Sequence, residues 1–98
     1  MPKKTEAKSG TAAKVTFELR QVDALSVHVA GDFNGWSTSK TPLAKRKDGR
    51  FSATVTLPKG TAYRYRYVLD GDRWINDPDA DRFEPNDHGT DDCILDLT

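Results

Sequence analysis

Short segments that alternate hydrophobic and polar residues follow one another from Lys14 to the end of the chain. Val15, Phe17 and Leu19 share one parity. The same alternation returns at Leu25 to Val29, Phe51 to Leu57, Tyr63 to Leu69 and Ile94 to Leu97. A period of two predicts strands with one buried face. Because no segment keeps a helical period for three turns, the pattern predicts an all-β domain.

Turn residues separate these predicted strands. Asp48-Gly49 and Asp70-Gly71 predict two-residue hairpin loops, since both residue types tolerate positive φ. Leu57-Pro58-Lys59-Gly60 fits a type I turn, which predicts antiparallel pairing of residues 51–57 with residues 63–69 in a three-stranded meander. About seven short strands, each with one apolar face, predict two packed sheets.

The first residues differ in composition from the rest of the chain. Residues 1–13 are rich in Lys, Thr, Ala, Ser and Gly and predict a flexible, disordered tail before a folded domain at 14–98. Residues 1–10 lack the apolar core of a secretory signal, and a single cysteine, Cys93, forms no internal disulfide. We therefore expect a cytoplasmic protein. No apolar run approaches the roughly 20 residues of a membrane helix, so we expect no membrane partner.

The charges balance overall but not along the chain. Fifteen Lys and Arg offset fifteen Asp and Glu, for a net charge of zero. A neutral chain has no overall field that would draw it to a phosphate backbone, so we expect no nucleic-acid partner. Ten of the acids lie within residues 70–98, which places any anionic chemistry in the last third.

Aromatic residues supply the candidate core and the candidate surface. Tyr63, Tyr65 and Tyr67 share one parity and predict a core-facing row with hydroxyls at the rim, which leaves Arg64 and Arg66 on the exposed face. The two tryptophans, in contrast, each follow a predicted turn and lie outside the buried alternating runs. They are candidates for display on the surface.

Four ordered motifs resemble a known family. They are Val29-Ala30-Gly31-Asp32-Phe33-Asn34-Gly35-Trp36, Tyr65-Arg66-Tyr67-Val68-Leu69-Asp70-Gly71, Trp74-Ile75-Asn76-Asp77-Pro78 and Gly89-Thr90. Their order and spacing are similar to those of family-48 carbohydrate-binding modules. These are the early-set domains at the amino ends of isoamylase and glycogen-branching enzymes, and the glycogen-binding domain of the AMP-activated protein kinase β subunit. The resemblance implies an immunoglobulin-like early-set β-sandwich that binds α-1,4-glucans without catalysis.

The resemblance also implies roles for individual residues. Trp36 and Trp74 match the two tryptophans that stack on sugar rings. Arg66 stands where the kinase-type domain has a lysine, and its guanidinium offers five donors to hydroxyls. Thr90 matches a loop threonine that bonds the sugar edge. The implied partners are an α-glucan and a glucan-metabolising enzyme.

The match departs from the kinase-type pattern at two loop positions. His88 replaces a hydrophobic residue that inserts between sugars, and Asp92 replaces an asparagine. Asp92 still accepts hydrogen bonds but lacks amide donors, and His88 can stack or donate. The predicted carbohydrate site therefore consists of Trp36, Arg66, Trp74, His88, Thr90 and Asp92.

An enzyme and a metal-binding protein are less favoured readings of the acids. Glycoside hydrolysis needs a carboxyl with a raised pKa in a dry cleft, whereas acids on short hairpin loops are solvated, so we expect no catalytic residues and no cofactor. Asp77, Asp79 and Asp81 alternate as in calcium loops, but Arg82 and His88 stand where such a loop has Gly and Glu. We expect no metal site, and expect Asp77 to close a turn.

A protein-interaction or scaffold module is the main alternative, with the aromatic surface docking another chain. The placement of the tryptophans distinguishes the two hypotheses. Coplanar, solvent-facing rings with Arg66 between them favour a glucan, whereas rings folded into the sheet favour a scaffold.

Overall fold

The computed structural model describes residues 3–6, 10–20 and 22–98. Within these residues it contains nine strands and, after the third of them, one 3₁₀ turn at Asp32–Asn34. The strands are β1 Lys3–Glu6, β2 Ala12–Leu19, β3 Val27–Gly31, β4 Pro42–Lys45, β5 Phe51–Pro58, β6 Ala62–Leu69, β7 Arg73–Ile75, β8 Arg82–Pro85 and β9 Asp91–Asp96. The predicted all-β class is confirmed, and no helix among the described residues is long and apolar enough to cross a membrane.

The strands form two antiparallel layers joined by β4. The first sheet runs β1-β2-β5-β4, and the second contains β3, β6, β7, β8 and β9. β4 pairs with both, through Ala44 opposite Ser52 and Leu43 opposite Val27. The layers face each other, since the ring of Phe17 in the first lies 5.1 Å from that of Tyr65 in the second. The fold is a β-sandwich.

The predicted alternation determines which side chains form the core. Val15, Phe17 and Leu19 of β2 are buried, as are Tyr65 and Tyr67 of β6. Removing large apolar side chains from water contributes roughly 1.5–3 kcal/mol each. Because the tyrosines face inward, the opposite side of β6 faces outward, away from the first sheet.

The buried tyrosine hydroxyls meet a buried carboxylate instead of reaching the rim. The residue Asp77 is only 3% exposed. Its Oδ2 accepts hydrogen bonds from the hydroxyl of Tyr65 at 2.9 Å and from that of Tyr67 at 3.2 Å. Burial, with Asp77 nearby, raises the pKa of both hydroxyls. Oδ1 of Asp77 accepts from the backbone N–H of Asp79 at 2.9 Å, which closes the predicted turn. This carboxylate ties the segment after β7 to the core.

Two further polar residues of the strands have their own environments. Cys93 is buried, and its sulfur accepts a hydrogen bond from the N–H of Asp77 at 3.1 Å. Burial raises the pKa of its thiol to about 11. His28 is half-buried, and among the described residues its Nδ1 finds no hydrogen-bond partner. Cys93 is therefore part of the core, whereas His28 alternates with the core residues Val27 and Val29 and faces the other side of β3.

The predicted meander is wrong. β5 pairs with β2 and β4, whereas β6 pairs with β3, β7 and β9. The turn between β5 and β6 crosses from one sheet to the other. Two backbone hydrogen bonds hold this crossing: the N–H of Lys59 donates to the carbonyl of Thr11, and the N–H of Gly60 donates to the carbonyl of Leu97. Leu25 is also not a core residue: β3 begins only at Val27, and Leu25 is 96% exposed.

The two predicted hairpins form, but neither has the predicted two-residue loop: Leu69 pairs with Arg73, so residues 70–72 form the β6–β7 loop. Asp70 and Gly71 both take positive φ, 53° and 81°, as predicted. The loop at Asp48-Gly49 is longer than expected, because Arg46 donates to the carbonyl of Arg50 and the residues between them form the turn. Only Gly49 of that pair has positive φ, at 90°. The turn between Arg46 and Arg50 thus has three residues, 47–49, one more than predicted.

Two strands include residues before Lys14, and the predicted domain boundary after residue 13 stays a prediction. β2 begins at Ala12, and Ala13 is 4% exposed, because it continues the buried parity of Val15. β1 pairs antiparallel with β2. The flexibility expected of residues 1–13 stays a prediction, and residues 1, 2 and 7–9 of that range lie outside the described residues.

Candidate functional site

The outer face of the second sheet contains a cleft of about 790 Å³, within the roughly 300–1,000 Å³ typical of ligand sites. Arg64 and Arg66 form part of its floor because they alternate with the core-facing Tyr65 and Tyr67 along β6. The lining residues are Asp32, Trp36, Arg64, Arg66, Trp74, Pro85, Asn86, Asp87, His88, Thr90 and Asp92. The cleft therefore combines two indoles with many hydrogen-bonding groups.

The backbone at the end of β3 places Trp36 in the cleft. Gly31 lies so close to β6 that a Cβ atom would meet the carbonyl oxygen of Arg64 at 2.5 Å. After the 3₁₀ turn, Gly35 and Trp36 both take positive φ, 68° and 59°. The N–H of Trp36 bonds back to the carbonyl of Gly31 at 2.9 Å. Positive φ at a bulky residue is uncommon, so this turn holds the indole in a specific direction.

Asn34 stabilises that turn from inside. Its Oδ1 accepts from the N–H of Gly31 at 3.0 Å, and its Nδ2 donates to the carbonyl of Val29 and to Oγ1 of Thr41. All polar atoms of the Asn34 side chain are therefore used within the turn. The residue supports Trp36 and is not a lining residue of the cleft.

Asp32 ties the indole of Trp36 to the sheet. Its Oδ1 accepts from Nε1 of Trp36 at 3.1 Å, and its Oδ2 accepts from the backbone N–H of Arg64 at 2.9 Å. One carboxylate therefore connects the turn after β3 with β6. The indole N–H is occupied, so the ring presents its face and carbon edge to the cleft.

Trp74 lies on the short strand β7, opposite Val68 of β6. Cross-strand neighbours share a face, so its indole lies on the outer surface, where the residue is 39% exposed.

The hairpin that bears Trp74 is held by Asp70. Oδ1 of Asp70 accepts hydrogen bonds from the N–H groups of Leu25 and Ser26 at 2.8 and 3.0 Å. Those two N–H groups lower the pKa of the Asp70 carboxyl, and Arg73 adds to the effect.

The two indoles are neighbours in space. Their ring centroids lie 6.5 Å apart, and the ring planes are inclined at 37°. The rings form a shallow angled surface, so the coplanar arrangement expected of a glucan platform is wrong. Trp36 is half-buried and Trp74 is exposed, which means that neither ring is folded into the core.

Arg66 holds its guanidinium beside the indoles without an acid partner. Its Nε donates to Oδ1 of Asn76 at 2.7 Å, and Nδ2 of Asn76 donates to the carbonyl of Asp91 at 2.9 Å. Among the described ion pairs none involves Arg66. A neutral amide thus orients the charged group, and the terminal nitrogens remain available to a ligand.

Asn86 organises the loop between β8 and β9, which contains His88 and Thr90. Its Oδ1 accepts from the N–H groups of His88 at 2.9 Å and Thr90 at 3.2 Å, and from the hydroxyl of Thr90 at 3.1 Å. Its Nδ2 donates to Asp92 at 2.9 Å and to Oγ1 of Thr90 at 2.8 Å. The loop is therefore folded around one amide, with His88 and Thr90 exposed at the cleft.

Asp92 is less accessible than the other predicted site residues. It is 6% exposed, and its oxygens accept from Nδ2 of Asn86 at 2.9 Å and from Arg64 at 3.3 Å. Arg64 also donates to Glu84 at 3.1 Å and to the carbonyl of Pro85 at 3.3 Å. The carboxylate of Asp92 is therefore used in hydrogen bonds within the protein.

All six residues of the predicted site line this one cleft. That they bind sugar stays a prediction. Sequence reasoning missed five other lining residues, Asp32, Arg64, Pro85, Asn86 and Asp87. The bonds of Asp32 and Arg64 join segments 32 and 28 residues apart in the chain, so no local pattern indicates them. In the described part of the chain no three His, Cys, Asp or Glu side chains are grouped to hold a metal ion.

A two-sheet sandwich whose outer face bears an indole-lined cleft has the architecture of a carbohydrate-binding module. Residues 13–98 match the family described as the glycogen recognition site of AMP-activated protein kinase, and the chain belongs to that family. A comparison with curated proteins found no match. Membership makes the chain a module of the glycogen-recognising class, with a glucan as the general class of partner.

Proposed function

We propose that this domain is a non-catalytic, cytoplasmic module that binds α-1,4-glucan chains by stacking them on Trp36 and Trp74. The observation that supports this most is the pair of indoles, 6.5 Å apart and inclined at 37°, in one cleft with Arg66, whose terminal nitrogens have no partner among the described residues. A glucose ring has C–H groups on its faces and hydroxyls on its edge. An indole takes the face, and polar groups around it take the edge.

The angle between the rings suits a curved ligand. Successive glucose units of an α-1,4-glucan turn relative to one another as the chain coils, so two tilted platforms contact two units in their natural orientation. A flat β-1,4-linked chain would align with coplanar rings. The 37° inclination therefore favours the coiled polymer.

The energy of stacking supports weak binding to a polymer. Covering about 100 Å² of apolar surface on each indole, at about 25 cal/mol per Å², gives about 2.5 kcal/mol per ring. A few hydrogen bonds add about 1 kcal/mol each. After the cost of association, the dissociation constant falls on the order of 10 µM to 1 mM.

The hydrogen-bonding roles divide among four residues. Arg66 directs its terminal nitrogens to ring hydroxyls, and Thr90 and His88 meet the sugar from the exposed loop. Asp92, with bonds to Asn86 and Arg64, shapes the loop from below. The predicted contacts of Asp92 are thus the weakest part of the sugar site.

Two of the three acids that line the cleft have structural partners that leave little room for catalysis. Asp32 accepts from Trp36 and Arg64, and Asp92 accepts from Asn86 and Arg64. A general acid needs a proton to give and an unobstructed path to the bond that breaks. We therefore propose that the domain acts by tethering, and that a glucan-metabolising enzyme is the partner it brings to the polymer.

Calorimetric titration with maltoheptaose and β-cyclodextrin tests the proposal. We expect binding in the micromolar to millimolar range, weakened at least tenfold by Trp74→Ala and by Trp36→Ala, as loss of about 2.5 kcal/mol of stacking requires. Phe83→Ala is the matched control, since Phe83 is 45% exposed but does not line the cleft. Cellohexaose should bind more weakly than maltoheptaose.

A folded protein that binds none of these sugars at millimolar concentration contradicts the proposal. The scaffold alternative would then account for the exposed indoles. Equal effects of Trp74→Ala and Phe83→Ala would show that the sugar does not use the cleft.

A further inference from the structure

We propose that Arg64 is a positioning residue, which holds the loop at 86–90 in its binding conformation through Asp92 and makes no essential contact with the ligand. The inference rests on the proposed function for its effect on glucan affinity. Its structural half, the ordering of the loop, is independent of any ligand.

The guanidinium of Arg64 joins both strands that flank the loop. On the β8 side it donates to Oε1 of Glu84 at 3.1 Å and to the carbonyl oxygen of Pro85 at 3.3 Å. On the β9 side it donates to Oδ2 of Asp92 at 3.3 Å. Because the loop leaves one of these strands and enters the other, this cation closes its base.

The bond to Asp92 continues into the loop. Asp92 is 6% exposed and also accepts from Nδ2 of Asn86 at 2.9 Å. Asn86 in turn receives the N–H groups of His88 and Thr90. A buried carboxylate that loses its cation is costly. The order of the loop therefore depends on Arg64 as long as residue 92 is an acid.

The backbone of the same arginine is connected to the first tryptophan. Its N–H donates to Oδ2 of Asp32, whose Oδ1 holds the indole nitrogen of Trp36. Arg64 thus lies between a stacking platform and the loop opposite, with its backbone fixed by one and its side chain committed to the other.

The neighbouring arginine on the same face has a different environment. Arg66 bonds through Nε to the neutral Asn76, and no described ion pair includes it. Arg64 is paired with two carboxylates, Glu84 and Asp92. The two arginines on the outer face of β6 therefore have different roles. Arg66 faces the ligand, and Arg64 orders the loop at 86–90.

The test is a double-mutant cycle of Arg64→Met, Asp92→Asn and their combination, with Arg66→Met as comparison. Amide hydrogen exchange of His88 and Thr90 is measured without sugar, and β-cyclodextrin affinity by calorimetry. Arg64→Met should lower the protection of both amides and weaken binding about tenfold, or about 1.4 kcal/mol. Asp92→Asn, which removes the buried charge but keeps an acceptor for Asn86, should restore both in the double variant. Arg66→Met should weaken binding and leave the amides protected.

Two results would overturn the inference. Unchanged amide protection in Arg64→Met means that the arginine does not order the loop. Protection restored without affinity in the double variant, while Asp92→Asn alone binds as the wild type does, means that Arg64 itself contacts the sugar. If the wild-type protein binds no sugar, the proposed function fails, and the amide protection still decides whether Arg64 positions the loop.

Discussion

The indole nitrogen of Trp36 donates a hydrogen bond to Oδ1 of Asp32 across 3.1 Å, while Oδ2 of Asp32 holds the backbone N–H of Arg64 on the neighbouring strand. The carboxylate is part of an exposed residue, yet both oxygens are used. An aromatic platform with a fixed orientation loses less freedom when a ligand covers it. We therefore expect Asp32 to contribute to glucan affinity without touching the sugar.

Asp32→Ala should weaken binding of β-cyclodextrin by about two- to twelvefold, since a lost hydrogen bond at an exposed residue is worth roughly 0.5–1.5 kcal/mol. Asp32→Asn keeps one acceptor oxygen for the indole and should fall between this variant and the wild type. The Nε1–H resonance of Trp36 reports the change directly. A resonance and an affinity that are both unaffected in Asp32→Ala would show that the bond does not position the ring.

Arg66→Met should weaken maltoheptaose binding about tenfold or more, because the methionine keeps the length of the side chain but removes all donors to ring hydroxyls. Arg66→Lys keeps the charge but not the fork geometry and should recover part of the affinity. The free energy of unfolding should change little in both, since the residue is half-buried on the outer face. Equal binding by Arg66→Met and the wild type would remove Arg66 from the site.

Asp77→Ala should lower the free energy of unfolding by about 3 kcal/mol, because it leaves the hydroxyls of Tyr65 and Tyr67 buried without this acceptor. Tyr65→Phe removes one donor and should cost about 1 kcal/mol. Urea unfolding gives both values. Asp87→Ala, at an exposed position, is the control and should stay within about 0.5 kcal/mol of the wild type. A comparable loss in the control would mean that Asp77 has no special role.

Stability should fall as the pH drops from about 4 to about 2. Hydrogen bonds from Thr98 and Arg82 lower the pKa of Asp96 to about 2 from 3.8, and the N–H groups of Ser26 and Leu25 lower that of Asp70. A carboxyl with a depressed pKa in the folded state stabilises the fold above its unfolded pKa, and that contribution is lost on protonation.

Urea midpoints across this pH range should therefore decrease, and less steeply in Asp70→Asn, which cannot be protonated. Asn is suited to the positive φ of this position, 53°. Because Asp96 contributes as well, some pH dependence should persist in the variant. If the urea midpoint fell equally steeply with pH in Asp70→Asn and in the wild type, the bonds from Leu25 and Ser26 to residue 70 would not depend on its charge.

Local pattern predicted the strands well because burial in a sheet has a period of two. Val15, Phe17 and Leu19 are buried as their alternation requires. Strand partners were harder to predict. A four-residue turn such as Leu57 to Gly60 allows the chain either to pair beside itself or to cross to the opposite sheet, and the crossing is decided by distant bonds to Thr11 and Leu97.

In the candidate site, too, local pattern predicted some residues, and others depend on contacts between distant parts of the chain. Trp36, Trp74 and Arg66 could be predicted because turns and motifs mark them in the sequence. Asp32 and Arg64 were missed because their functions arise from contacts between β3, β6 and the β8–β9 loop. Asp92 was assigned to the sugar by its place in a motif, whereas its burial and its two bonds depend on the folded sheet.

A crystal structure with bound maltoheptaose would test glucan stacking most directly. Two glucose units should lie face to face with the indoles of Trp36 and Trp74, with a terminal nitrogen of Arg66 on a ring hydroxyl between them. Sugar bound away from the cleft, or one that leaves both indole faces in contact with solvent, would contradict the account.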